Sequence, residues 1–214
     1  MMTLTKETVF VFVVFNRREW GDFMRERIMK AFIEELQDKG IKFTMDDLAR
    51  RLGMSKRTLY EHFSSKAELL DTIIEQTLHE SDAKTAEIMK DNTLSLLDKM
   101  KAVMTVLPNH FELYDNRILE QMKRAYPEQW LKIDNALRDE WEILRNLLEQ
   151  GMDEGIILRH NAAFIVKVIT DAFNSTLDQR FFAKQNISLP DALQSIADMV
   201  LYGLVTRDAS QEQA

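Results

Sequence analysis

Ser55, Lys56, Arg57 and Thr58 stand in a row, with Tyr60 and His62 following at two-residue steps. Hydroxyl, ammonium, guanidinium, phenol and imidazole groups make up this set, and nearly all of them donate hydrogen bonds. Such donors suit phosphate oxygens, and several can reach the edge of a base. The chemistry on offer is recognition of a polyanion. Bond-making chemistry has little to work with. The chain has no Cys, which removes disulfides, thiol nucleophiles and cysteine metal sites together. The four His, at 62, 79, 110 and 160, show none of the i, i+4 pairing that a helical zinc site wants. Neither a glycine-rich phosphate loop nor a strand–turn–helix nucleophile motif is present. The expectation is a protein that is not an enzyme, with no cofactor and no metal.

Two short helices are needed to present these donors. Thr44 precedes Asp46 and Asp47 and a short apolar run, so it reads as a helix N-cap. Leu48, Ala49 and Leu52 would face inward, and Gly53 would stop the helix, because glycine tolerates the positive φ found just past a helix end. Ser55 can cap a second helix, from Lys56 to about Phe63, with Leu59 and Phe63 inward at i, i+4. A pair of short helices joined by a tight turn containing Gly is a helix-turn-helix. Its second helix places base contacts near its N-terminal end. Lys56, Arg57 and Thr58 are therefore the expected base readers, with Thr44, Ser55, Tyr60, His62 and Lys66 on phosphates. A capped amphipathic helix with a merely solvated basic face would give the same pattern.

From about residue 25 to 74 the sequence resembles the TetR family of bacterial transcriptional regulators. The resemblance rests on IMKAFIEELQDKG, then FTMDDLARRLG, then MSKRTLYEHF and SKAELL, in that order. It covers about a quarter of the chain. It implies an all-α homodimer with an N-terminal DNA-binding domain, and a C-terminal domain that dimerises and often binds a small effector. It also implies that the start of the helix opened by Lys66 approaches the DNA backbone.

Charge is divided along the chain. Residues 1–66 hold 13 Lys and Arg against 10 Asp and Glu, whereas residues 67–214 hold 15 against 25. A mildly cationic head on an acidic body fits a protein whose head alone meets DNA. Few Gly and Pro, six and three, argue for helix throughout; about nine helices are expected. The expected domains are an extension over 1–23, a helix-turn-helix domain over 24–70, an effector-binding and dimerisation domain over 71–207, and a frayed tail over 208–214. The apolar run VFVFVVF at residues 9–15 is too short to span a bilayer and a poor signal peptide. The extension is read either as sequence ahead of the natural start or as an arm that packs on the body or touches DNA. A cytoplasmic protein with no membrane partner is expected.

The first helix should run from about Asp22 to Lys39, with Ile28, Met29, Phe32, Ile33 and Leu36 inward and Arg25 as a possible phosphate contact. Past the helix opened by Lys66, five more are read. They are capped near Asn92 or Thr93 and ended near Pro108, then about 111–126, then Pro127 to about Gln150, then about 162–182 and about 191–206. The last two, through Phe164, Val168, Ala172, Ile196, Met199, Val200 and Leu204, are the candidate dimer interface. An effector pocket is expected among Met100, Met104, Phe111, Met122, Trp141, Phe173 and Asn174, since Met and aromatic side chains line adaptable cavities. At helical spacing the same residues also read as plain core. The adjacent acidic pair Asp139 and Glu140 reads as solvated surface.

The function expected from all this is a transcriptional repressor that an effector releases from double-stranded operator DNA. The alternative is a helical protein-interaction module or small-ligand carrier of the same fold, without sequence-specific DNA binding.

Overall fold

The computed structural model describes residues 17–110, 113, 115–176 and 187–205. Among them are nine α-helices, and no strand beyond an isolated bridge between Ile157 and Val205. The chain divides into two compact units, the first ending at Leu70 and the second beginning at Asp71. The tail over 208–214, residues 1–16 of the extension, Phe111 and the stretch 177–186 lie outside the described residues.

In the first unit, α1 (Arg17–Lys39) leads through a short 3-10 turn (Gly40–Lys42) to α2 (Met45–Leu52) and α3 (Lys56–His62), after which α4 (Lys66–Lys90) begins. Helix α1 starts five residues ahead of the expected Asp22 and runs straight through Gly21. A single glycine in a helix costs only about 1 kcal/mol against alanine, too little to stop it. The stops come where backbone geometry demands them. Gly40 and Gly53 adopt φ of 67° and 65°, the left-handed region that side chains with a Cβ disfavour.

Helix α2 opens with a full capping box. The Thr44 hydroxyl accepts from the Asp47 amide while the Asp47 carboxylate accepts from the Thr44 amide. Ser55 caps α3 by accepting from the Thr58 amide. Ile28, Phe32, Leu36, Leu48, Leu59, Phe63, Leu69 and Leu70 are fully buried, and Phe32 meets Phe43 edge-on at 5.0 Å.

Basic side chains tie this unit together. Arg51 reaches from α2 to Glu34, Glu35 and Asp38 on α1, and Lys39 also meets Glu35, whose side chain is only 3% exposed. These carboxylates hold the Arg51 guanidinium far above its ordinary range. Arg25 lies over the Phe63 ring at 4.0 Å and donates to the His62 carbonyl. Lys66 donates to the carbonyls of Ile41 and Phe43, with its ammonium 3.6 Å from the Phe43 ring centre.

The second unit holds the rest of α4 and α5 (Leu96–Met104), α6 (Asn116–Ala125), α7 (Pro127–Asp153), α8 (Ala162–Thr176) and α9 (Leu189–Leu204). Helix α5 is capped by Ser95 and not by Asn92 or Thr93. Thr93 is occupied instead, its amide and hydroxyl both donating to Asp91. The helix ends at Met104, four residues before Pro108. Helix α6 waits for Asp115, whose carboxylate accepts from the amides of Arg117 and Ile118. Helix α7 passes through Gly151 and breaks near Gly155, where φ is 73°. Gly151 is there for closeness: a Cβ would sit 2.8 Å from the Met100 methyl and 3.3 Å from Ile157. Helices α5, α7, α8 and α9 share one core, centred on Met100, Leu144, Leu148, Ile169, Ala197 and Leu201.

The two kinds of glycine predict opposite outcomes for one substitution. Gly21→Ala lies within α1, with nothing within 4 Å of the added Cβ, and should stabilise the protein by about 0.5–1 kcal/mol. Gly53→Ala must hold alanine at φ 65° and should destabilise it by about 1–2 kcal/mol. Chemical denaturation of the two variants checks both signs.

Candidate nucleic-acid interface and body cavity

Helix α3 has seven residues, too few to be stable alone, so its seating decides what it shows. With Leu59 and Phe63 fully buried, Lys56, Arg57 and Tyr60 fall outward, and Tyr60 is 47% exposed. The two cations rest on neighbouring carboxylates: Lys56 on Asp46, and Arg57 Nε on Glu61 at 3.1 Å. Both pairs lie in solvent, where such contacts are worth about 0–1 kcal/mol. Phosphates or base edges can therefore displace them at small cost.

The other five predicted contacts are tied to the frame to different degrees, with Thr44 and Ser55 exposed and Thr58, His62 and Lys66 half-buried. The Thr44 hydroxyl donates to Asp47 at 2.7 Å, and hydrogen bonds from Thr44, backbone first, hold the Asp47 carboxyl below the usual carboxylate range. The Ser55 and Thr58 hydroxyls hydrogen-bond each other at 2.8 Å. His62 is half-buried, and its carbonyl is held by Arg25. Lys66 is turned inward, and burial pushes its ammonium down to about 8, with Asp47 pulling the other way. Arg25, read as a possible phosphate contact, stacks on Phe63. The Arg51 network was not anticipated, although Glu34, Glu35 and Asp38 form an acidic face on α1 that could have pointed to it.

In the second unit a cavity of about 530 Å³ opens between α5, α6, α7, α8 and α9. Met104, Trp141, Phe173 and Asn174 line it, as do Trp130 and Leu137. Trp141 and Phe173 are in ring contact at 5.8 Å. Met100 and Met122, expected in the lining, are fully buried and are not part of it. Glu140 corrects the sequence reading most sharply. It is half-buried and lines the cavity, whereas its neighbour Asp139 is exposed. Burial pushes its carboxyl up to about 7, the negative charge of Asp82 adds to the effect, and a hydrogen bond with Ser81 opposes it.

Helices α8 and α9 leave apolar side chains in solvent. Phe164 is 67% exposed and Tyr202 70%, with Val168 and Met199 beside them in the same class. Of the other predicted interface residues, Ala172, Ile196, Val200 and Leu204 are half-buried, and Val200 and Leu204 pack against the core of the unit. Among the described residues no helix is long and apolar enough to cross a membrane.

The chain is similar to known proteins at two scales. A family profile described as "Bacterial regulatory proteins, tetR family" matches residues 28–73. The HTH-type transcriptional regulator YvaF of Bacillus subtilis is 31% identical over 181 residues, covering 85% of this chain and 95% of the relative. Among solved structures, the TetR-family regulator PfmR of Thermus thermophilus superposes with a TM-score of 0.66 at 22% identity, over 82% of this chain and 97% of its own. The ketosteroid transcriptional regulator KstR2 of Mycobacterium tuberculosis gives 0.69 at 18%, over 86% and 96%.

The carboxyl in the cavity wall makes stability depend on pH. With its folded value raised from 4.5 to about 7, Glu140 contributes stability that is fully present below 4.5 and lost as pH rises through about 7. Glu140→Gln keeps the shape without the charge. Relative to the parent it should gain on the order of 2 kcal/mol across that window. Denaturation midpoints of both proteins through the pH range measure this difference; parallel curves would contradict it.

Proposed function

The chain belongs to the TetR family of bacterial transcriptional regulators, with an N-terminal DNA-binding domain, and on that premise we propose that it is a homodimeric repressor released from its operator by a small effector. The observation that carries the DNA half is the seating of α3. Leu59 and Phe63 are locked inward, and Lys56, Arg57 and Tyr60 are presented at the surface in weak ion pairs or none. In this reading Lys56, Arg57 and Thr58 contact base edges in the major groove. Tyr60 and His62 position the phosphate backbone. Thr44, Ser55 and Lys66 serve mainly by fixing the frame, and the third hydrogen of the Lys66 ammonium is left for a phosphate.

The exposed face of α8 and α9 supports dimerisation, since Phe164, Val168, Met199 and Tyr202 offer apolar area beyond the protomer's own core. Two heads on a two-fold axis match a two-fold operator. The cavity in the body supplies the effector site. A ligand that prefers the form of the dimer unfit for the operator lowers DNA affinity by its differential affinity for the two forms. The protein acts in the cytoplasm, where the chromosome is.

Binding of the full-length protein to the DNA flanking its own gene, against scrambled competitor, tests this reading. A specific regulator should prefer its site by about a thousandfold or more. Tyr60→Ala should abolish that preference. Lys56→Ala should weaken binding and, if the lysine also neutralises a phosphate, flatten the dependence of log affinity on log salt by about one. No preferred sequence, there or in a selection from genomic fragments, would contradict the repressor reading.

A further inference from the structure

The cavity wall carries an electrical asymmetry that its apolar character hides. Four charged side chains line it: Glu120 on α6, and Asp134, Arg138 and Glu140 on α7. Arg138 donates to Asp134 at 2.7 Å, one turn away, with most of its side chain in solvent, so this pair cancels. Glu120 is largely exposed, with Arg124 at 3.9 Å. Glu140 remains. It is half-buried in the wall, its polar partner is the Ser81 hydroxyl, and a second carboxylate, Asp82 on α4, adds to the negative field. No cation of the described residues pairs with it. A charge so placed is costly unless it finds a partner.

The remaining walls narrow what that partner can be. Trp130, Trp141 and Phe173 offer aromatic faces, and such faces attract cations as well as apolar groups. Trp130 already has a cation over its ring, with the Lys123 ammonium 5.6 Å from the ring centre. An anion entering here would meet the Glu140 carboxylate, with Asp82 adding to its negative field. A neutral molecule would fill the space and leave Glu140 as it was. A bare metal ion would leave the apolar part of the wall unfilled.

We infer that the cavity takes an amphipathic organic cation, its charge set against the Glu140 carboxylate and its apolar part against Trp130, Trp141 and Phe173. This names the ligand class for the site read above as the effector site, and it rests on that reading. Binding should also depend on pH, since a carboxyl near 7 in the empty protein must be ionised to pair. The charged groups facing it are Asp82, Glu120, Asp134 and Arg138.

Calorimetric titration of the full-length protein with three probes of matched size tests the inference. The probes are benzyltrimethylammonium, its uncharged carbon isostere neopentylbenzene, and the anion 3-phenylpropanoate. The cation should bind at least about tenfold more tightly than the isostere, about 1.4 kcal/mol. Glu140→Gln should lower the cation's affinity about tenfold and leave the isostere's nearly unchanged, which also shows that the variant is folded. Between about pH 8 and about pH 6 the parent's affinity for the cation should fall about tenfold, and that of Glu140→Gln should not. Isostere or anion binding as tightly as the cation, or a variant that weakens all probes alike, would overturn the charge assignment and leave the cavity as a ligand site. If none of the probes bound, the effector site itself would fall with the inference.

Discussion

Everything the head can do depends on the burial of two side chains beneath one short helix. Helix α3 cannot hold itself together in water, so Leu59 and Phe63 fix its rotation by entering the core of the first unit. A turn of one residue would send the outward set, Lys56, Arg57 and Tyr60, to a different face. The unit spends several long-range contacts on preventing that. Arg25 covers Phe63 and holds the last carbonyl of α3 at His62. Arg27 reaches the carbonyl of Leu52 at the end of α2. Cations at helix C-termini satisfy unpaired carbonyls and oppose the negative end of the helix dipole. Two of the basic residues of α1 thus hold the recognition pair in place, whatever they do toward a ligand.

The body is governed by a different constraint, the closeness of α5 and α7. Gly151 lets the Met100 methyl approach where a Cβ would stand, and Met100 with Leu144 and Leu148 fills the space below the cavity. Along the cavity the side chains of α7 are aromatic, aliphatic and charged. Trp130, Asp134, Leu137, Arg138 and Trp141 come to the cavity from one long helix, and Glu140 comes with them. One helix therefore supplies much of the apolar wall and the charge that gives the site its sign.

The head was legible in the sequence because its signals are local. Thr44, Gly53 and Ser55 each act on backbone within three or four residues, and the structure uses all three as caps or stops. The contacts of Arg25, Arg51 and Lys66 were not legible, because their partners lie 13 to 38 residues away: Phe63, Glu34, Glu35 and Asp38, and Ile41 and Phe43. Periodicity showed that Met100, Met104 and Met122 face inward. Whether a neighbour fills the space in front of an inward residue is a matter of packing, and only Met104 of the three meets a void. Glu140 was misread for a related reason. Two acids side by side on a helix point about 100° apart, so one can lie in solvent while the other enters the protein, and the pair alone does not say which.

The measurement that tests the account most directly is site selection from random duplex DNA, run in parallel for the parent and Arg57→Ala. If α3 reads bases from two heads related by a two-fold axis, the parent should select a consensus with two symmetric half-sites. The variant should lose its preference at about one base step in each half, by about 1–3 kcal/mol, and keep the rest. A consensus without symmetry, or a variant that weakens every position alike, would contradict the claim that this face of α3 reads the sequence.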